Sequence, residues 1–198
     1  MKLLLIIPTN GNKVLHSDTD LITVIHKDYN GYSRGMGEFI DKVVSEYWEL
    51  IETFEYISFM GDDCIFEPNH LLEMANWPYY QLSMTRDSFY SWTHLLKQDG
   101  SDFRYVPFIE INCVMSLEFL QKVKAHFKES KSAWGYDYLF ADIHKKMYNQ
   151  YPVCVDTYSY KHTKPVESGK WNIDGKTPWD DMKYILDTYN LWHYRKIR

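Results

Sequence analysis

An α/β fold, with a central sheet flanked by helices, is predicted by three features of this 198-residue chain. Short apolar runs rich in β-branched and aromatic residues recur at residues 3–7, 21–26 and 56–60, the pattern of buried strands. Between the second and third lies an amphipathic segment, residues 38–51, with Phe39, Ile40, Val43, Val44, Tyr47, Leu50 and Ile51 on one side. Strand, loop, strand, helix, strand is the opening of a nucleotide-binding α/β sheet.

Each further element has its own signal. The run at 3–7 ends in Pro8-Thr9-Asn10-Gly11, a turn, so it reads as a first strand and not as a targeting segment. Residues 68–75 form a short helix. Residues 80–85 read as a strand, and 88–97 as either helix or loop. Residues 103–115 read as one long apolar strand region, interrupted by Pro107 and carrying Glu110. Ser116 is a suitable N-cap for a helix over 117–127. Trp134-Gly135-Tyr136-Asp137 opens another helix that reaches Tyr148. A late strand covers 153–158, with a polar loop at 162–166. Thr177-Pro178-Trp179-Asp180-Asp181 starts the last helix with a cap, a proline at the first position and acids in the first turn. The basic, aromatic tail from Trp192 to Arg198 reads as a frayed end.

Composition bounds the function. Hydrophobic residues are 45% of the chain, enough for a real core, and no repeat or low-complexity linker divides it, so residues 1–198 are expected to be one domain. No run approaches the roughly 18 apolar residues of a membrane helix. The net charge of −5 argues against a broad nucleic-acid surface. Aromatics reach 17%, and tyrosine and tryptophan suit clefts for sugars and bases as well as cores. Cys64, Cys113 and Cys154 lie in apolar runs and read as buried small hydrophobes, neither a disulfide framework nor a zinc cluster. That usage fits a reducing, cytoplasmic setting.

The chemistry concentrates in a few residues. Glu55-Tyr56-Ile57-Ser58-Phe59-Met60-Gly61-Asp62-Asp63-Cys64 is a strand ending in two adjacent carboxylates. Open α/β sheets bind ligands at the carboxyl ends of their strands. Adjacent acids repel, and a divalent cation is the partner that offsets this. Asp63 is the first candidate ligand; Asp62 ligates too or bonds a ribose hydroxyl. His162, in the polar loop, is either structural or a further ligand, and an imidazole favours Mn²⁺ over Mg²⁺. Lys164 beside it is a point charge for a diphosphate or an ordinary solvated lysine. Asp137 is either a helix-start acid or a general base, with Trp134 as a wall against a sugar ring. Glu110 in an apolar strand needs a partner, Arg104 or Arg86, or else faces the cleft. Ser33-Arg34-Gly35-Met36-Gly37 precedes a helix and can present backbone N–H groups to an anion, with Arg34 near a base or diphosphate.

In this order the motifs resemble the GT-A class of nucleotide-sugar glycosyltransferases. That class carries an Asp-x-Asp-type acid motif at the end of a central strand; the corresponding triplet is Gly61-Asp62-Asp63, with Gly61 in place of the first acid. The stretch Arg104-Tyr105-Val106-Pro107-Phe108-Ile109-Glu110, then Trp134-Gly135-Tyr136-Asp137, then Val155-Asp156 ahead of His162-Thr163-Lys164-Pro165, is similar to a small branch of such enzymes. The resemblance spans residues 1–170 in scattered motifs. It implies a GT-A-like, Rossmann-related central mixed sheet flanked by helices. It implies Asp63 and His162 as metal ligands, with Asp62, and Asp137 as catalytic base. Pro8, Thr9, His26 and Asp28, with Arg34, Asp62 and Lys164, would line the nucleotide side; Glu110, Trp134 and Arg104 would form the acceptor side. The implied reaction moves a sugar from a nucleoside-diphosphate sugar to a glycan or other hydroxyl acceptor, with Mn²⁺ or Mg²⁺ and inversion at the anomeric carbon. Association with other transferase domains would suit so short a chain. A sugar nucleotidyltransferase, a non-catalytic sugar-binding protein on the same fold, and transfer to a modified DNA base are the alternatives.

Overall fold

The structure is a computed structural model that describes residues 2–9, 16–28, 35–86, 92–163, 172 and 175–196. It is a mixed α/β fold whose strands form an eight-stranded sheet flanked by helices. The strands are β1 (Leu3–Thr9), β2 (Ile22–Asp28), β3 (Tyr56–Phe59), β4 (Cys64–Ile65), β5 (Gln81–Arg86), β6 (Phe103–Tyr105), β7 (Cys113–Ser116) and β8 (Val153–His162). The helices are α1 (Met36–Glu46), α2 (Trp48–Ile51), α3 (Pro68–Ala75), α4 (Leu117–Val123), α5 (Tyr136–Tyr148) and α6 (Pro178–Tyr189).

The sheet runs β2-β1-β3-β7-β5-β8-β4, with β6 also paired to β8. β1 is parallel to β2 and β3; β7 is antiparallel to β3 and β5; β5 and β8 are parallel. The carboxyl ends of β1, β2, β3, β5 and β8 therefore share one edge, as does the start of β7. β1, between β2 and β3, is wholly enclosed: Leu3 to Ile7 are each 1% exposed or less. Burying one such side chain stabilises by ~1.5–3 kcal/mol. Alternate residues of β1 serve opposite faces. Leu4 and Ile6 pack with α1, α4, α5 and α6, while Leu3, Leu5 and Ile7 pack with α3 and the far ends of β5 and β8.

Three departures from the sequence reading matter. The stretch at 103–115 is two strands, not one: Pro107 cannot donate to a ladder, and 106–112 crosses between β6, which pairs β8, and β7, which pairs β3 and β5. The helix at 38–51 breaks at Tyr47 into α1 and α2, and α4 tightens into a 3₁₀ turn at Lys124–His126. Residues 93–95 of the ambiguous middle form a 3₁₀ turn.

β8 is longer than the late strand read from sequence. Its pairing with β5 jumps from Met84↔Val155 to Thr85↔Ser159, so Asp156, Thr157 and Tyr158 form a bulge. Beyond it the strand continues to His162 and pairs antiparallel with the short β4, Cys64 opposite His162. The caps are as expected: Ser116 Oγ accepts from the Phe119 N–H at 3.2 Å, and Thr177 and Asp180 form a reciprocal capping box. The tail is not frayed through residue 196, because Leu191 and Tyr194 are buried in the core. Among the described residues no helix is long and apolar enough to cross a membrane.

Candidate metal centre and adjoining carboxylates

The turn after β3 places two donors, and the β4–β8 pairing brings a third. Cys64 N–H donates to the Gly61 carbonyl at 3.0 Å, closing a turn over Asp62 and Asp63. A Cβ at Gly61 would lie 2.6 Å from Asp63 Oδ1, so a side chain there would push the Asp63 carboxylate aside. The Thr163 N–H donates to the Asp63 carbonyl at 2.7 Å, fastening the end of β8 to the turn. His162 Nδ1 then lies 3.4 Å from Asp63 Oδ2 and 3.6 Å from Cys64 Sγ. Asp63, Cys64 and His162 are a group able to hold a metal ion, with one ligand atom from each within 4.8 Å of the others.

Asn112 orients this group. Its Oδ1 accepts from the Gly61 N–H at 3.2 Å, which leaves its amide nitrogen facing Cys64 Sγ at 3.8 Å. Cys64 is buried, and burial followed by the charges of Asp63 and Glu110 pushes its thiol well above the usual range. A thiol so placed is a poor nucleophile on its own.

Next along the edge are Arg86, at the end of β5, and Glu110. Arg86 Nη1 donates to Glu110 Oε1, and the Tyr160 hydroxyl donates to Glu110 Oε2 at 3.0 Å. Glu110 thus has Arg86 as its partner, the second of the two choices the sequence left open. Its charge is felt at Cys64, Tyr160 and Asp137. Asp137 sits in the first turn of α5, after Gly135 with φ 97°, a conformation that favours glycine and that also lets α5 approach Ile185 of α6. Its pKa is raised from 3.8 to about 7, first by burial and second by Glu110, against the opposing backbone N–H groups of Tyr138, Asp137 and Gly135. A carboxyl poised near neutrality suits proton transfer.

The other sequence candidates are placed as follows. Pro8, Thr9, His26 and Asp28 lie at the carboxyl ends of β1 and β2, in register as Pro8↔Lys27 and Thr9↔Asp28. The His26 ring is tied by Nε2 to the His16 carbonyl at 2.9 Å. Asp62 is a partly exposed turn residue outside the three-donor group. Trp134 is half-buried against the core beside α5. Arg104 is engaged structurally: Nε bonds Asp156 Oδ2 at 2.9 Å, Nη2 bonds Asp156 Oδ1 at 3.2 Å, and the guanidinium also donates to the carbonyls of His94 and Leu96. That leaves it little capacity to bind an acceptor. Arg34 and Lys164 lie outside the described residues, as does most of the loop around Arg34.

One expectation needs correction. His162 is not in a loop but is the last residue of β8, because the bulge lets the strand run on. Cys64 is free, buried and part of the core, as expected, and in addition lies in a group that could hold a metal ion. Its sequence signal was its position next to Asp63; the pairing with a residue 98 positions away was not legible. Asn112 and Tyr160 were missed for the same reason. A depression of about 380 Å³, lined by Phe66, His70, Tyr160 and Lys161 among others, borders the centre on its β4–α3 side.

No family model and no curated protein matches the chain. Among solved structures it is similar to the crystal structure of A197 from STIV, with a TM-score of 0.48 and 12% identity over 83% of this chain and 87% of that chain.

Proposed function

We propose that the chain is a metal-dependent glycosyltransferase of GT-A-like architecture, moving a sugar from a nucleoside-diphosphate sugar to an acceptor hydroxyl. One observation carries the reading: Asp137, a carboxyl near neutrality, feels the charge of Glu110, which also reaches Cys64 beside an Asp63–His162 pair, at the kind of strand-end edge where open α/β sheets bind ligands. The nucleotide lies over the ends of β1, β2 and β3, against Pro8, Thr9, His26 and Asp28. Asp63 and His162 are suited to a divalent cation, Mn²⁺ more than Mg²⁺. When bound, such a cation neutralises charge that develops on a departing diphosphate. Asp137 takes the proton of the acceptor hydroxyl, and Trp134 positions the acceptor beside the Arg86–Glu110 pair. A single base on the face opposite the leaving group gives inversion.

The test is thermal stabilisation by a panel of nucleoside diphosphates and their sugars, with and without Mn²⁺. A ligand that binds only the folded state raises the midpoint. The expected result is a metal-dependent rise with one nucleotide sugar, lost in Asp63→Ala. No rise with any nucleotide overturns the donor site. Pyrophosphate released from a nucleoside triphosphate would assign the chain to nucleotidyl transfer instead.

A further inference from the structure

We propose that Asp63, Cys64 and His162 together hold one borderline-soft divalent cation, zinc in kind, with Cys64 as its thiolate ligand. The inference rests on the reading of this edge as a metal centre, but departs from the hard oxygen-seeking cation that reading began with. Three observations carry it.

The first is spacing. Around a tetrahedral zinc ion, with bonds of about 2.3 Å to sulfur and about 2.0–2.1 Å to nitrogen or oxygen, neighbouring donors sit about 3.3–3.6 Å apart. Asp63 Oδ2 is 3.4 Å from His162 Nδ1, and Cys64 Sγ is 3.6 Å from that nitrogen and 4.0 Å from Nε2. An octahedral Mg²⁺ at about 2.0–2.1 Å sets neighbouring oxygens only about 2.9 Å apart. The second is donor type. A thiolate beside an imidazole selects zinc or cobalt over magnesium, calcium and manganese. The third is Asn112. Its carboxamide oxygen accepts from the Gly61 N–H, which turns its nitrogen toward Sγ at 3.8 Å, where an N–H would meet a sulfur that gives up its proton on metal binding instead of donating it to Asp63 Oδ1. Outer groups of this kind orient and tune first ligands. The described residues supply three donors of this group. On binding, the sulfur–metal bond forms as the thiol proton leaves to solvent.

The experiment is anaerobic titration of the full chain with Co²⁺, read by its absorption. The expected result is a near-ultraviolet sulfur-to-cobalt charge-transfer band with intense visible bands, abolished by Zn²⁺ and unaffected by a large excess of Mg²⁺. Cys64→Ser loses the charge-transfer band, whereas Cys113→Ser keeps it; Asn112→Ala weakens Co²⁺ binding by about 10–100-fold. The wild-type spectrum decides the matter even if a variant fails to fold. Co²⁺ bound without a sulfur band overturns the proposal and leaves the Asp63–His162 reading standing. Absence of Co²⁺ binding with a persistent Mn²⁺-dependent nucleotide shift overturns it alone. Absence of both overturns this proposal and the donor site together.

Discussion

One arginine–carboxylate pair holds the bulge of β8 and another lies beyond it, and they differ in which partner is enclosed. Arg104 and Asp156 saturate one another. Asp156 is 2% exposed and also accepts from the Gln98 N–H at 2.9 Å, while Arg104 spends its remaining donors on the carbonyls of His94 and Leu96. This pair fastens the segment before β6 to the bulge. Arg86 and Glu110 lie at the carboxyl edge, where the Glu110 side chain keeps 22% of its surface. Its charge reaches Tyr160, Cys64 and Asp137. An arginine–carboxylate pair thus fixes a loop in one place and spreads the charge of a part-exposed carboxylate over its neighbours in the other. Sequence chemistry alone does not separate the two roles; which partner is enclosed does, the carboxylate Asp156 in one pair and the guanidinium of Arg86 in the other.

The sharpest way to break the comparison is to remove one partner from each pair. Arg104→Ala strands a buried carboxylate and is expected to lower stability by ~3–5 kcal/mol in urea unfolding. Nucleotide binding by the folded fraction stays unchanged. Glu110→Gln is expected to cost less stability, about 1–3 kcal/mol. Because Glu110 raises the pKa of Asp137, its loss moves the activity midpoint to lower pH. Equal stability losses with no shift in the pH profile would erase the distinction.

Asp137 supplies the next test. Asp137→Asn is expected to lower turnover at neutral pH by about a hundredfold or more. Stability moves the other way. The folded pKa of about 7 stands above the ordinary 3.8, so between those values the folded chain holds a proton that the unfolded chain has released. That contribution to stability is full below the lower value, falls as pH rises and is gone above about 7. Wild-type activity should therefore climb with a midpoint near 7 while its stability declines, and the Asn variant should lack that decline. Denaturant melts at several pH values read the slope directly.

Gly61→Ala is a smaller perturbation. The new Cβ displaces the Asp63 carboxylate, and metal affinity is expected to fall by about 10–100-fold with the fold retained. Isothermal titration measures it. Smallest is Thr177→Ala, far from the edge, which loses the capping box of α6. It should cost ~1 kcal/mol in a urea melt and leave ligand binding untouched.

These tests also mark how far the sequence reaches. β1, α3 and both caps were readable because their determinants are local: a buried apolar run, Pro68 at a helix start, a hydroxyl three residues before the N–H it accepts from. Asp63 and Asp137 stood out in the sequence because one follows a readable strand and the other opens a readable helix. The partner of Arg104 lies 52 positions away, and that of Glu110 lies 24 away across the sheet. The two-residue β4 has no periodicity to detect. It exists only because β8 arrives beside it, so the assembly of Cys64 with His162 was beyond any local signal.

The bulge carries a consequence of its own. Side chains of a strand alternate faces, and Val153 and Val155 point to the face of Cys64 while Cys154 points to the other. Uninterrupted, that alternation would turn Tyr160 and His162 away from Cys64. Asp156, Thr157 and Tyr158 are an odd number of extra residues, and they reverse the phase, so that Tyr160 joins the Val155 face and His162 meets Cys64. The centre is therefore written into the chain partly as a parity. Losing a single codon within those three would leave Asp63, Cys64 and His162 in the gene and yet put the imidazole out of phase with Cys64.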